Sequence, residues 1–380
     1  MAVDSRSATR REPAWVRPSV EAMPRHGFGS PSAADFARPN APKVRMLHLN
    51  ESPYPPSPKA VAAAREIASS LNRYPDSQGK VLAQALAVRT GIAPARILFG
   101  CGSDELIHDF CTFAVSAGDH AVVPAPTFPS FATEVRIQGA TPIRVRLDAH
   151  GANDAAGLVA AVTDRTRLVF CCTPNPPSGG MVSAAGIETL AKGVPDTVLL
   201  IVDEAYHEYG RHAGGPDVLP ILAKRRGPWA VMRTFSKAYG LAGARLGYAL
   251  CGSEAVAEAL RKVKLHFGAT ATAQAAALAA LEDDAYLNKV VAAVARERER
   301  LGDGLRQLGL DVFPSAANFV SAVLPILAAT AVEELKRRRI LVRDWRDPEH
   351  LQQIRITVGL PDDTDAVVAA LRDILGQAAA

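Results

Sequence analysis

From Tyr74 to about Gly252 the chain repeats one phrase: an apolar run of strand length, then a stretch with helical spacing. "RILFG" leads to "SDELIHDFCTFAV", "HAVVPAP" to "SFATEVRIQ", "TPIRVRL" to "AAGLVAAV" and "RLVFCCTPN" to "AAGIETLAKGV", before "TVLLIVDEAY" and "WAVMRTFS". The runs are apolar almost throughout rather than at every second position. Such strands need cover on both faces, so the pattern calls for helices on either side of a largely parallel sheet. The fold class is α/β.

The remainder reads differently. Residues 1–45 are rich in Pro, Arg, Ser and Ala without steady periodicity, and read as an N-terminal arm. "VRMLHLNESPYPPSP" gives a short strand and a Pro-rich turn, and "PKAVAAAREIASSL" an amphipathic helix. Beyond about residue 270 come long helical patterns, then "NFVSAVL", "ILVRDW" and "QIRITVG" as strands of a separate sheet, and a last helix in "TDAVVAALRDILGQ". A chain of 380 residues exceeds one simple core. The expected division is a large domain over 71–270 and a smaller α+β domain from 46–70 with 271–380.

Charge and cysteine content narrow the partners. There are 43 basic and 39 acidic residues, a net charge of +4, which spread over this length favours neither nucleic acid nor an anionic membrane. The apolar runs are too short to span a bilayer. Five cysteines, an odd number without a C-x-x-C pair or a histidine cluster, predict no disulfide framework and no metal site. The paired arginines near the start lack the apolar stretch of an export signal. The expected location is the cytoplasm.

Ligands of open α/β sheets collect beyond the carboxyl ends of the strands. After "ILFG" come Gly102, Ser103 and Asp104 at a helix start, where free N–H groups and the helix dipole suit a phosphate. A plain cap by Ser103 or Asp104 explains the same residues. After "VLLIV" comes Asp203, a buried carboxylate that needs a cation or a turn to cap. After "VMRTF" come Ser236 and Lys237, then Arg245, in a stretch of small and apolar residues. Lys237 is either a solvated lysine at a loop edge or a buried amine held for chemistry. Asp203 and Lys237 lie 34 residues apart, the length of one strand–crossover–strand unit, so both can face one crevice. A phosphate site, a buried acid, an amine and an arginine together fit pyridoxal phosphate.

Eight stretches in order then resemble a family: "LNESPYPPSP", "NRYPD", "GCGSDELI", "APTFPSF", "VDEAYHEY", "RTFSKAYGLAGARLGY", "SAANFV" and "IRITVG". The chain is similar to fold-type I pyridoxal-phosphate aminotransferases, most of all the histidinol-phosphate aminotransferase group, over roughly residues 46–375. The resemblance implies that Lys237 links to the cofactor aldehyde, that Asp203 pairs with the ring nitrogen and that Tyr206 donates to the ring's phenolic oxygen. It assigns Gly102, Ser103, Ser236 and Arg245, with Asp104 beside them, to the phosphate end. Phe128 would stack on the ring, and Tyr74 would reach the phosphate of a neighbouring subunit, which implies a homodimer. Arg355 and Arg343 would grip the substrate anion, with Tyr54 and His266 on the substrate side. The implied reaction moves an amino group from histidinol phosphate or an aromatic amino acid to a 2-oxo acid such as 2-oxoglutarate.

Two departures stand out. The family places an asparagine beside the phenolic oxygen where "TPNPPSG" puts Pro176, leaving Asn175 one residue early. The expectation is that a local backbone adjustment among Pro174, Pro176 and Pro177 lets Asn175 reach the cofactor ring; otherwise Tyr206 alone holds that oxygen. "KLHFGATATAQ" replaces the substrate-side loop of the histidinol-phosphate enzymes. Another pyridoxal-phosphate enzyme, such as an amino-acid phosphate decarboxylase, uses the same scaffold. A non-catalytic sensor domain is a third reading, but residues 1–45 do not read as the DNA-binding domain that such regulators carry.

Overall fold

A computed structural model describes residues 15–23 and 43–379. Among the described residues the strands in chain order are β1 (Arg45–Met46), β2 (Ile97–Gly100), β3 (His120–Ala125), β4 (Thr141–Arg146), β5 (Thr166–Cys172), β6 (Leu199–Asp203), β7 (Trp229–Thr234), β8 (Gly247–Cys251), β9 (Asp311–Val312), β10 (Phe319–Val323), β11 (Ile340–Leu341), β12 (Arg343–Asp344) and β13 (Gln353–Thr357). Seven form the main sheet, in the order β2-β8-β7-β6-β5-β3-β4. All run parallel except β8, which lies antiparallel between β2 and β7. The sequence pattern omits β8, because "GYALC" follows the Lys237 loop without a helix between.

The unbroken apolar runs have a direct cause. Val169, Cys171, Leu200, Val202 and Val231 point into one buried layer. Leu168, Phe170, Cys172, Ile201 and Met232 point into the opposite one. Side chains alternate at every residue, so a sheet covered on both faces must be apolar at every position.

A second sheet, ordered β12-β13-β10-β9, is antiparallel, and β1 pairs in parallel with β11 beside it. "ILVRDW" forms two short strands, β11 and β12, broken at Val342. The helices Asp284–Gln307, Ala328–Arg337 and Pro361–Ala379 bury Val294, Leu301, Leu335, Val367 and Leu371 against Phe319, Ile354 and Ile356 of this sheet. Leu47, next to β1, and Tyr206, beyond β6, join the same cluster. The crevice that brings Lys237 and Arg355 together lies where the two sheets meet.

Of the N-terminal arm, residues 1–14 and 24–42 lie outside the described residues. The short helix Pro18–Glu21 rests on the helix Ser130–Ile137, where Ser19 Oγ donates to Ile137 O at 3.0 Å. No helix among the described residues is long and apolar enough to cross a membrane. The five cysteines are free thiols.

Candidate active site

Strand ends of the main sheet and one face of the second sheet enclose a cavity of about 390 Å³. Its lining includes Ser103, Asp104, Phe128, Asp203, Tyr206, Ser236, Lys237, Arg245, Arg343 and Arg355, so ten residues singled out from the sequence converge on one space.

Asp203 ends β6, its backbone in register with Cys172 of β5 and Met232 of β7. Its Oδ1 accepts from Ala205 N at 2.8 Å, so it does cap the following turn. Burial pushes its carboxyl up to about 7, and the nearby Asp104 and Glu204 add to the rise. Without a cationic partner this group is poised between protonation states, whereas a protonated pyridine nitrogen would hold it ionised. Its neighbour Glu204 turns away from the cavity to a buried Arg233, which donates from Nη2 at 2.7 Å and from Nε at 2.9 Å.

Lys237 sits in the turn beyond β7, half-buried, its Nζ donating to Leu49 O at 3.2 Å and lying 5.8 Å from the centre of the Tyr206 ring. Burial, reinforced by the charge of Arg355, lowers its amine to about 8. Little proton removal then separates it from a neutral nucleophile.

At the other end, the helix Gly102–Ala114 opens against the start of β8. Gly102 has φ +76°, and a Cβ there would stand 2.4 Å from Arg245 Nη2. A Cβ on Gly247 would stand 2.6 Å from Ser103 N. Only glycines allow this approach, which brings a helix N-terminus and a guanidinium to one spot. Ser103 and Asp104 do not cap the helix. Asp104 instead accepts from Ser130 Oγ at 3.1 Å and lies 3.6 Å from Arg245. Ser236 Oγ accepts from Thr234 Oγ1 at 3.0 Å, with both hydroxyls on the cavity.

The second sheet supplies cations. Arg355 donates from Nη2 to His48 O at 2.6 Å, while its buried Nε has no hydrogen-bond partner among the described residues. Burial lowers it to about 10, with Tyr206 opposing and Arg343 adding to the fall. The donor set fits pyridoxal phosphate: a glycine-lined helix start with an arginine for the phosphate, a buried acid for the ring nitrogen, an amine for the aldehyde and two further arginines for a substrate anion.

Besides Gly102 at the helix start, four sequence candidates stand apart from the cavity lining. Asn175 is fully buried with its amide spent: Thr127 Oγ1 donates to Oδ1 at 2.6 Å, and Nδ2 donates to Pro126 O at 3.1 Å and Ser178 Oγ at 2.9 Å. Pro176 lines the cavity and Asn175 does not. Tyr74 is 82% exposed and stacks on Phe267, ring centres 4.5 Å apart, outside its own chain's cavity. His266 is exposed beside the same phenylalanine. Tyr54 packs against the cluster of the second sheet. Sequence reasoning missed Asn50, Glu51, Cys172 and Thr234 as lining residues. For Asn50 a signal existed: a lone amide closing the apolar "MLHLN" ahead of a proline-rich turn.

Comparisons agree with this geometry. The model of the family described as "Aminotransferase class I and II" matches residues 42–371. Histidinol-phosphate aminotransferase 1 of Mesorhizobium japonicum is 35% identical over 333 residues, covering 88% of this chain and 91% of that protein. An aromatic amino acid aminotransferase of Rhodococcus jostii is 38% identical over 331 residues, covering 87% and 90%. The crystal structure of histidinol-phosphate aminotransferase from Sinorhizobium meliloti in complex with pyridoxal-5'-phosphate superposes with a TM-score of 0.87 at 32% identity, covering 96% of this chain and 98% of that one.

Proposed function

The chain belongs to the class I and II aminotransferases and is a pyridoxal-phosphate-dependent enzyme of that family; we propose that its amino donor is histidinol phosphate or an aromatic amino acid and its acceptor a 2-oxo acid such as 2-oxoglutarate. The observation that carries this reading is the pair Arg343 and Arg355, which face the cavity from neighbouring strands with Lys237 on the opposite wall. Two guanidiniums side by side require an anion, and the planar fork of arginine matches carboxylate and phosphate alike. Relatives named for both donor types are similar to this chain at comparable identity.

When bound, the cofactor supplies an aldehyde that links to amines and a ring that accepts the electron pair left when the substrate α-carbon loses its proton. The chain's residues do the rest. Ser103, Ser236 and Arg245 would hold the phosphate, with the close approach at Gly102 shaping the pocket. Asp203 would pair with the ring nitrogen and keep it protonated. Tyr206 would donate to the phenolic oxygen, and Phe128 would pack on the ring. Lys237 Nζ would link to the aldehyde and, when free, would take up the proton of the substrate α-carbon, and its lowered pKa suits a base near neutrality. Arg343 and Arg355 orient the donor so that its α-hydrogen faces Lys237.

Tyr74 stands outside its own cavity, and that exposure supports a homodimer in which each subunit lends Tyr74 to the other's phosphate site. Five unpaired cysteines, four of them buried, support a reducing cytoplasmic setting. The test of function is a half-reaction panel. The holoenzyme is mixed in turn with histidinol phosphate, phenylalanine, tyrosine and non-aromatic amino acids, and its absorbance is followed. Fast conversion by the first three and slow conversion by the others supports the reading. Carbon dioxide release without dependence on a 2-oxo acid replaces it with a decarboxylase.

A further inference from the structure

Tyr206 and its surroundings hold a detail that the mechanism above does not use. The Tyr206 oxygen accepts a hydrogen bond from Asn50 Nδ2 at 2.8 Å. Asn50 is itself fixed by three further hydrogen bonds. Thr357 Oγ1 donates to Asn50 Oδ1 at 3.1 Å and accepts from Asn50 N at 3.0 Å. Asn318 Nδ2 donates to Asn50 O at 3.0 Å. The backbone at Asn50 has φ +54°, a left-handed conformation that asparagine tolerates better than most side chains. The residue is buried at the edge of the cavity.

These bonds fix a direction. The Asn50 amide is oriented with Oδ1 toward the Thr357 hydroxyl and Nδ2 toward the Tyr206 oxygen. Tyr206 therefore receives on its oxygen and keeps its own proton to give. A phenol that accepts such a bond becomes a stronger donor, because hydrogen bonds in a chain polarise one another. Across the cavity Pro176 offers no donor, and the Asn175 amide is fully engaged elsewhere. Tyr206 is left to hold the phenolic oxygen without help from that side.

We infer that Asn50 is a positioning residue that makes Tyr206 a one-way hydrogen-bond donor to the cofactor's phenolic oxygen, taking over orientation that the opposite wall, with Pro176, does not provide. The inference rests on the aminotransferase reading. Charged and titratable groups facing Tyr206 are Arg355 from β13, Lys237 from the turn after β7, Asp203 from the end of β6 and Cys172 from β5. Among the described residues, Asn50 is the one group hydrogen-bonded to its hydroxyl.

The readout is the pH midpoint of the absorbance change of the lysine-linked cofactor in the holoenzyme. Donation to the phenolic oxygen favours its anionic form, so losing the donor raises the midpoint. Tyr206→Phe is expected to raise it by about 1 unit and Asn50→Ala by about half a unit. In the Tyr206→Phe background, Asn50→Ala should add nothing. Thr357→Val, which keeps the shape but frees the Asn50 amide, should raise the midpoint by less than Asn50→Ala does, and serves where Asn50→Ala does not fold. An unmoved midpoint in the Asn50 or Thr357 variant overturns the inference, as does an equal shift with and without Tyr206. A wild-type protein that takes up no cofactor overturns the aminotransferase reading itself.

Discussion

Arg343 and Arg355 stand directly opposite each other on β12 and β13. Like charges at such a position repel, and burial lowers the pKa of both guanidiniums. A free protein therefore carries an unfavourable pair that a bound anion relieves. Arg355→Ala and Arg343→Ala should each lower kcat/KM for anionic donors by roughly 30-fold, about 2 kcal/mol for a charged hydrogen bond. Cofactor uptake, followed by absorbance, should stay intact. Equal loss with a donor that lacks an acidic group shows that the arginines act on the fold rather than on the substrate.

Lys237 sets a second expectation. Only the neutral amine attacks an aldehyde, and its pKa is lowered to about 8, chiefly by burial and next by Arg355. Reconstitution of the apoprotein with cofactor should accelerate about tenfold per pH unit below 8 and level off above it. Arg355→Leu removes a neighbouring positive charge, so the plateau should begin at higher pH. Stopped-flow reconstitution across a pH series measures both.

Asp203 links the site to stability. Its pKa is raised from 3.8 to about 7 by burial, so the folded apoprotein binds more protons than the unfolded chain between those values. The contribution is whole below the unfolded pKa and is lost as pH rises through about 7, on the order of 4 kcal/mol. Asp203→Asn, which cannot ionise, should flatten this part of the apoprotein's urea midpoint between pH 5 and 8 while removing most transferase activity. In the wild type, bound cofactor should flatten it too, because the ring nitrogen supplies the missing cation.

Much of this site was legible because strand ends in a doubly covered sheet are marked by where apolar runs stop. Asp203 and Lys237 follow "VLLIV" and "VMRTF" directly, and their neighbouring strands follow from the spacing. Gly102 and Arg245 were readable from residue type, but not their mutual approach, which depends on β8 turning back between β2 and β7. Asn50 was harder. Its partners Tyr206, Asn318 and Thr357 come from three distant segments, and no local spacing announces a hydrogen-bond chain of that kind. Residue type marks Asn175 as a ligand, while the bonds of its buried amide to Thr127, Pro126 and Ser178 depend on contacts that no local spacing shows.

Tyr74 offers a test by complementation. Lys237→Ala and Tyr74→Ala should each be strongly impaired alone. If each subunit lends Tyr74 to the other, a refolded mixture contains hybrid dimers with one site that has both residues. Two-fold dimers formed at random would recover about a quarter of wild-type activity. No recovery in a mixture shown to exchange subunits removes the shared site.

The last expectation concerns the pair just behind the site. Glu204 and Arg233 are both buried, with two hydrogen bonds onto one carboxylate oxygen and His207 Nδ1 3.3 Å from the same atom. Burial alone would raise the Glu204 carboxyl, but Arg233, aided by His207, outweighs it and holds the group down to about 2. Its contribution to stability is whole above pH 4.5 and is lost as pH falls through 2. Arg233→Met leaves a buried charge without its partner and should cost about 3–5 kcal/mol, whereas the double change Arg233→Met with Glu204→Leu should cost less than that single one. Urea unfolding at pH 7 and pH 3 reads both effects. Because Glu204 adjoins Asp203 in the chain, this pair also anchors the end of β6. The single variant should therefore weaken cofactor retention, and the double variant should recover part of it.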